Sequence, residues 1–231
     1  MTLEEFKKSV RDRGLELSDE MLEKFNVYAA YLKEYNEKIN LTAITEYEEV
    51  LDKHFYDSSL FINNDMQGSI VDVGSGAGFP GVVVKILKPD MKVILLEPIG
   101  KRCIFLNSLI EKLELKDIEV VNERGEDYSL KHRDAYDYVT ARAVSNLNGL
   151  IEVCGAMVKK NGYFIALRGS EGRKEIDDAS KAIRTMGFMV ESIRDERLFD
   201  GSSRVIGYLK KRVETPIKYP RKYNIIKQKP L

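Results

Sequence analysis

The sequence predicts an α/β fold, a doubly wound and mostly parallel sheet of seven strands with an N-terminal helical cap. Three observations carry that prediction. From Ser69 onward, strand-length apolar runs alternate with helix-length amphipathic runs, the rhythm of consecutive βαβ units whose crossover helices return the chain to a parallel strand. The first of these strands runs into Val71-Asp72-Val73-Gly74-Ser75-Gly76-Ala77-Gly78-Phe79-Pro80-Gly81, a glycine-dense passage from strand to helix. Residues 1–65 instead repeat apolar side chains at helical spacing.

In the cap, Gly14 ends a first short helix and Ser18 caps a second, in which Met21, Leu22, Phe25, Tyr28, Ala29, Leu32 and Tyr35 form one packed face. Thr45-Glu46-Tyr47-Glu48 has the form of a capping box. It predicts a third helix through Val50, His54 and Leu60, and residues 63–68 then connect to the sheet. The predicted strands are 70–73, 92–97, 118–122, 137–141, 163–168, 189–194 and 205–210, the last two forming an antiparallel edge. Helices are predicted near 81–87, 101–113, 146–158 and 171–186, with Pro80 suited to a first helical turn, where its missing N–H is not needed. Residues 123–127 read as a turn, and the segment from Thr215, with Pro216, Pro220 and Pro230, as irregular. The expected organisation is a cap over 1–65, a catalytic domain over 66–214 and a basic tail over 215–231.

Thirty-seven basic and 37 acidic residues cancel overall but not locally. Residues 1–60 hold 14 acids against 8 bases, and residues 210–231 hold 8 bases against 1 acid, so a polyanionic partner is expected at the tail end. Two cysteines, Cys103 and Cys154, form no disulfide framework, which suits a cytoplasmic protein. No signal peptide is legible and no run approaches the roughly 18 apolar residues of a membrane span. The two histidines and two cysteines lack metal-ligand spacing. No metal, no membrane and a monomeric state are expected.

The glycines at 74, 76 and 78 remove side chains where a ligand can approach bare backbone, so the loop predicts a nucleoside. Gly76, Gly78 and Gly81 also satisfy a dinucleotide fingerprint. Against that reading, the Asp72 carboxylate would repel a pyrophosphate but suits an ammonium or sulfonium. Pro80 also deletes a donor that a phosphate at the helix start would use. Both features favour S-adenosyl-L-methionine. Glu97, at the end of the next strand, can accept two ribose hydroxyls, a device shared with NAD enzymes. Gly125, in Glu123-Arg124-Gly125-Glu126-Asp127, can bring backbone N–H against an adenine. Arg142, at the end of the fourth strand, faces the same crevice and can contact an acceptor base, its phosphate or the cofactor carboxylate.

Absent motifs narrow the methyl acceptor. Methylation at pyrimidine C5 requires a cysteine nucleophile, usually in a Pro-Cys pair, and neither cysteine qualifies. Methylation of an exocyclic amine commonly uses an Asn/Asp-Pro-Pro-aromatic segment, and no such tetrapeptide exists here. A ring nitrogen such as guanine N7 carries no proton, so no general base is needed and orientation alone can supply about 7–11 kcal/mol.

The chain resembles the glucose-inhibited division protein B family, bacterial methyltransferases acting on guanine N7 of 16S ribosomal RNA. The matching segments are Asn40-Leu41-Thr42-Ala43-Ile44, Lys53-His54-Phe55-Tyr56-Asp57-Ser58, the 72–81 loop, Lys101-Arg102 with Phe105-Leu106, Arg124-Gly125-Glu126, Thr140-Ala141-Arg142-Ala143-Val144 and the tail's Tyr219-Pro220-Arg221-Lys222 with Lys229-Pro230-Leu231. The resemblance implies a class I S-adenosylmethionine-dependent, Rossmann-like methyltransferase whose partner is 16S rRNA or the small ribosomal subunit. It implies cofactor contacts at Gly74, Phe79, Gly125, Glu126 and Arg142, with Glu97 on the ribose. Candidate RNA contacts are Lys53, His54, Arg142, Arg168, Arg197, Arg204, Arg221, Lys222, Lys227 and Lys229. The chain departs from the family pattern at Gly125 (usually Ala), Arg168 (usually Lys), Asn224 (usually Gly) and Ile226 (usually Pro). A general base at His54 would be redundant, so a structural or phosphate-contacting role is expected there. His132 belongs to a polar loop. A methyltransferase acting on a small molecule or protein, a non-catalytic nucleotide- or RNA-binding module, and an NAD-dependent oxidoreductase are the alternatives.

Overall fold

The computed structural model describes residues 1–142 and 146–231. Its sheet comprises β1 (Ser69–Val73), β2 (Lys92–Leu96), β3 (Ile118–Val121), β4 (Tyr136–Arg142), β5 (Val158–Arg168), β6 (Phe188–Arg197) and β7 (Ser203–Lys211), in the order β3-β2-β1-β4-β5-β7-β6. β1 pairs in parallel with both β2 and β4, and β7 runs antiparallel to β5 and β6. The strand order therefore reverses between β1 and β4. In an open α/β sheet the crevice at such a reversal, at the carboxyl ends of the strands, is where ligands bind. The glycine loop leaves the end of β1 and Arg142 ends β4, so both predicted site elements stand at that crevice.

The helices are α1 (Leu3–Asp12), α2 (Asp19–Asn36), α3 (Tyr47–Val50), α4 (Asp57–Ser59), α5 (Gly81–Leu87), α6 (Gly100–Lys112), α7 (Gly125–Lys131), α8 (Leu147–Gly155), α9 (Gly172–Asp178), α10 (Ser180–Thr185) and α11 (Tyr223–Gln228). Thr2 and Glu5 form a reciprocal capping box on α1, and Ser18 caps α2 as its sequence indicates. The third predicted helix is interrupted: a π-helical turn, Leu51–Tyr56, joins α3 to α4. Glu46 rather than Thr45 occupies the cap of α3, with no side-chain cap bond, so the expected capping box does not form. π-turns recur at functional sites, and this one carries Asp52, Lys53 and His54.

The cap and one side of the sheet share a single core. Phe6, Phe25, Tyr28, Leu32 and Phe55 from the cap join Val82, Val83, Leu95, Phe105 and Leu106 in one buried cluster. The cap also grips the glycine loop. The buried Tyr28 hydroxyl donates to Ala77 O at 2.5 Å, and its ring stacks on Phe79 with centroids 5.1 Å apart.

Two expectations are corrected. Residues 123–127 are not a free turn, because Gly125 starts α7, with Arg124 at its cap. The tail is not irregular, because α11 lies against α8 and buries Ile226. Its anchors are polar as well: Arg133 donates to Thr215 O and Tyr219 O at 2.6 Å each. Fully buried Lys211 donates to Gly155 O at 2.6 Å and to the Thr215 hydroxyl. Arg221 makes a forked pair with Glu152 at 2.8 and 2.6 Å, and its backbone N–H adds a third bond at 2.9 Å. Glu152 is fully buried. Breaking a buried pair strands the remaining charge, so Arg221→Ala should cost about 3 kcal/mol, read as a lower urea midpoint. A loss of about 0.5 kcal/mol or less would mean that the pair behaves as an exposed one.

Candidate active site

The glycine loop is shaped by its own conformational demands. Gly74, Gly76 and Gly78 adopt φ of +74°, +58° and +98°, the left-handed region that L side chains rarely enter. A Cβ on Gly81 would lie 2.3 Å from the Leu95 side chain. Its absence lets the helix start approach β1, and Gly81 N–H donates to Asp72 Oδ2 at 2.9 Å. The other oxygen, Asp72 Oδ1, is buried with no hydrogen-bond partner. Burial pushes the Asp72 carboxyl up to about 7, opposed by the Gly81 N–H and the Arg142 charge. An orphaned acceptor at this position fits a cofactor ammonium, which would supply both donors and charge.

Glu97 follows β2 with 1% of its surface exposed. Its Oε2 accepts from Gly76 N–H and its Oε1 from Ile99 N–H, each at 2.9 Å, so it ties the loop to the second strand. Each carboxylate oxygen carries two lone pairs, which leaves one on each for a ribose hydroxyl. Gly125 opens α7 beside Val73 and Val153, and Glu126 lies in that helix's first turn. Phe79 is buried, its ring stacked on Tyr28 and on His54, with the latter's centroid 4.4 Å away. The Arg142 guanidinium lies 5.1 Å from the same ring.

Beyond Arg142 opens a cavity of about 690 Å³ lined by, among others, Lys53, His54, Asp57, Arg142, Arg168 and Arg204. Arg142 donates to Lys53 O at 3.2 Å, to Asp57 Oδ2 at 3.3 Å and to His54 Nδ1 at 3.2 Å. Asp57 Oδ1 accepts from Arg204 Nε at 2.9 Å, so one carboxylate holds two arginines at the rim. Lys53 pairs with Glu49 at 2.7 Å, and Arg168 Nε with Glu175 at 2.7 Å. Arg197 is exposed at the end of β6.

The structure thus gathers five of the predicted RNA-contacting residues, Lys53, His54, Arg142, Arg168 and Arg204, around one cavity. It holds Arg221 against buried Glu152 on α8 instead, and leaves Lys222, Lys227 and Lys229 exposed on the tail, outside that lining. Ala143 and Val144 of the Thr140–Val144 segment lie outside the described residues. Sequence reasoning passed over Asp57 and Asp52. Asp52 is buried and accepts from Phe199 N–H and Asp200 N–H, both at 3.0 Å, fixing the β6–β7 turn at the cavity edge. Its partners are nearly 150 positions away, so no local signal marks it. Asp57 lies within the Lys53–Ser58 segment that carries the resemblance, and its two arginine partners give it a role.

The family model for rRNA small subunit methyltransferase G, named GidB, matches residues 21–198. The chain belongs to the GidB family. Its GidB relatives include the ribosomal RNA small subunit methyltransferases G of Bacillus cytotoxicus, 43% identical, and Bacillus subtilis, 42% identical. Each alignment covers 96% of this chain and 95% of the relative. The protein of that name from Oceanobacillus iheyensis is 39% identical over the whole of both chains. Among solved structures, M. jannaschii TYW2 in complex with AdoMet superposes with a TM-score of 0.57 at 14% identity, covering 69% of this chain and 74% of that one. That likeness shows the fold of the GidB chain, a class I methyltransferase sheet. Among the described residues no helix is long and apolar enough to cross a membrane, and no group of three or more His, Cys, Asp or Glu side chains is placed to hold a metal ion.

Proposed function

We propose that this chain transfers the methyl group of S-adenosyl-L-methionine to N7 of a specific guanine in 16S ribosomal RNA, acting in the cytoplasm on the RNA or the small subunit. The carrying observation is the position of Arg142. At the end of β4 its guanidinium borders the glycine loop through Phe79 and the cavity through Asp57 and Lys53. A donor there can hold an acceptor base against a cofactor seated on the loop.

When bound, S-adenosylmethionine supplies an electrophilic methyl group on a sulfonium. Guanine N7 attacks with its in-plane lone pair: the N–C bond forms, the C–S bond breaks and its electron pair stays on sulfur. The positive charge passes to the base and no proton moves. The protein's part is then to bind, orient and exclude water. Asp72 holds the ammonium, the backbone of residues 74–78 faces the cofactor, Glu97 takes the ribose hydroxyls, and Gly125 with Glu126 borders the adenine. Arg142 orients the acceptor, while Lys53, Arg168, Arg204 and Arg197 meet RNA phosphates, with Lys222, Lys227 and Lys229 as an outer contact.

The cavity's chemistry supports a base-free reaction. His54 has Nε2 on Thr42 and Nδ1 on Arg142, and burial pushes its pKa down to about 3. Neither Cys103 nor Cys154 lines the cavity, and burial raises both thiols, which supports setting aside a covalent pyrimidine mechanism. Ribosomal RNA from a strain lacking this protein, treated with borohydride and aniline, should lose one N7-methylguanine cleavage, and the gene supplied in trans should restore it. Persistence of every cleavage would sink the assignment.

A further inference from the structure

The segment Asn40-Leu41-Thr42 and the histidine at 54 are not explained by the chemistry above, since the reaction calls for no base. Their geometry forms a chain that ends on the one side chain the reaction depends on. Asn36, the last residue of α2, accepts through Oδ1 from Leu41 N–H at 2.8 Å and from Thr42 N–H at 3.0 Å. The Thr42 hydroxyl lies 2.9 Å from His54 Nε2 and accepts from Ile44 N–H at 3.0 Å. His54 Nδ1 lies 3.2 Å from Arg142 Nη2.

Two neighbours compete for Nδ1: Arg142 Nη2, which can only donate, and Lys53 O, which can only accept. The Arg142 contact calls for a lone pair on Nδ1, with the ring proton on Nε2 directed at the Thr42 oxygen. Nδ1 also lies 3.1 Å from Lys53 O, which itself accepts from Arg142 Nη1 at 3.2 Å. With the proton on Nε2 these two atoms are neighbouring acceptors that share one guanidinium fork. The opposite tautomer, or an imidazolium, would turn an N–H toward an N–H. The imidazole's low pKa, caused first by burial and then by the Arg142 charge, keeps the ring neutral. The ring cannot drift, being stacked on Phe79 and 7% exposed.

We propose that His54 is a positioning residue: held as the neutral Nε2–H tautomer by Thr42, it accepts from Arg142 through Nδ1 and sets the guanidinium's orientation over Phe79 toward the acceptor base. The cap thereby reaches the site through Asn36, Thr42 and His54. This rests on the reading of Arg142 given above.

The test uses the full-length protein, small ribosomal subunits lacking the modification, and single-turnover transfer of labelled methyl. The amide oxygen of His54→Asn can replace Nδ1 as acceptor, whereas that of His54→Gln reaches toward Thr42 and leaves Arg142 without one. The Gln variant should transfer about tenfold more slowly, and Asn should recover most of that loss. The dissociation constant for S-adenosylhomocysteine should stay unchanged in both. In an Arg142→Lys background, His54→Gln should cause no further loss, because the fork it served is gone. An equal loss in both backgrounds, or equal rates for the Asn and Gln variants, overturns the proposal. An Arg142→Lys enzyme with the wild-type rate overturns the role of Arg142 itself, and this inference with it. Thr42→Val leaves the ring in place and keeps the comparison readable if a ring variant does not fold: its loss too should vanish in the Arg142→Lys background, and a loss that persists there counts against the proposal.

Discussion

Arg142→Ala should slow methyl transfer to small subunits by about 10²–10³-fold, the range lost when one preorganised donor is removed from a reacting centre. The expectation follows from how many groups this one side chain holds in place. Its guanidinium meets Lys53 O, Asp57 and His54 and lies over Phe79, linking the glycine loop to the cavity. Burial pushes its pKa down, but Asp57 and Asp72 push it back up, and a guanidinium stays charged in proteins. Arg142→Lys should also be impaired, because a point charge on a flexible stem cannot meet a backbone carbonyl, a carboxylate and a ring nitrogen together. Transfer rates at saturating cofactor, with calorimetric affinity for S-adenosylhomocysteine, check this. A loss that falls wholly in cofactor affinity would move Arg142 from the acceptor to the cofactor.

Asp72→Asn should weaken S-adenosylhomocysteine binding and stabilise the empty protein at once. The Asn oxygen can keep the Gly81 N–H, and its amide takes the place of the orphaned Oδ1, so the fold loses little. The sign of the pH effect is determined by the direction of the shift. Burial raises the carboxyl from 3.8 to about 7 in the folded state. The raised group favours folding below pH 3.8, and this advantage is lost as pH rises toward 7, to the extent of about 4 kcal/mol. Above pH 7 the wild type therefore carries a desolvated charge that the Asn variant lacks. The proposed ammonium contact requires the ionised form, so wild-type affinity should rise about tenfold from pH 6 to pH 8, and the variant's should stay flat. Titration calorimetry at the two pH values, with urea unfolding at pH 8, reads both effects. A pH-independent wild-type affinity would remove the ammonium from Asp72.

Much of this was legible in the chain because it is written locally. A strand, a glycine turn and a helix follow one another within residues 69–87, and positive φ at 74, 76 and 78 is a demand that glycine alone meets freely. The apolar stripe of α2 predicted a packed face, and Phe25, Tyr28, Ala29 and Leu32 are buried. The seven strands appear where the alternation placed them, differing mainly at their ends. Where local signals misled, a distant partner prevailed. Thr45 has the residues of a capping box but the helix begins one position later and opens into a π-turn, whose Asp52 and His54 answer to the β6–β7 turn and to Arg142. Three prolines suggested an irregular tail, yet Glu152, Arg133 and Lys211 gather it onto α8.

Arg221 shows the limit most plainly. In the sequence it is one more cation in a basic tail, equivalent to Lys222 beside it. In the structure it neutralises a fully buried carboxylate while Lys222 stays exposed. By itself, then, the sequence determined the sheet, the glycine loop, the acid before it and the arginine at the end of the fourth strand, because each depends on backbone conformation or hydrophobic period within a few residues. Only the tertiary structure decided which cation neutralises a fully buried acid and which line the cavity, and that the cap's His54, held by Thr42, meets Arg142. The pairs Arg221–Glu152, His54–Arg142 and Arg204–Asp57 join residues 69, 88 and 147 positions apart, and complementarity at that separation leaves no mark on local sequence.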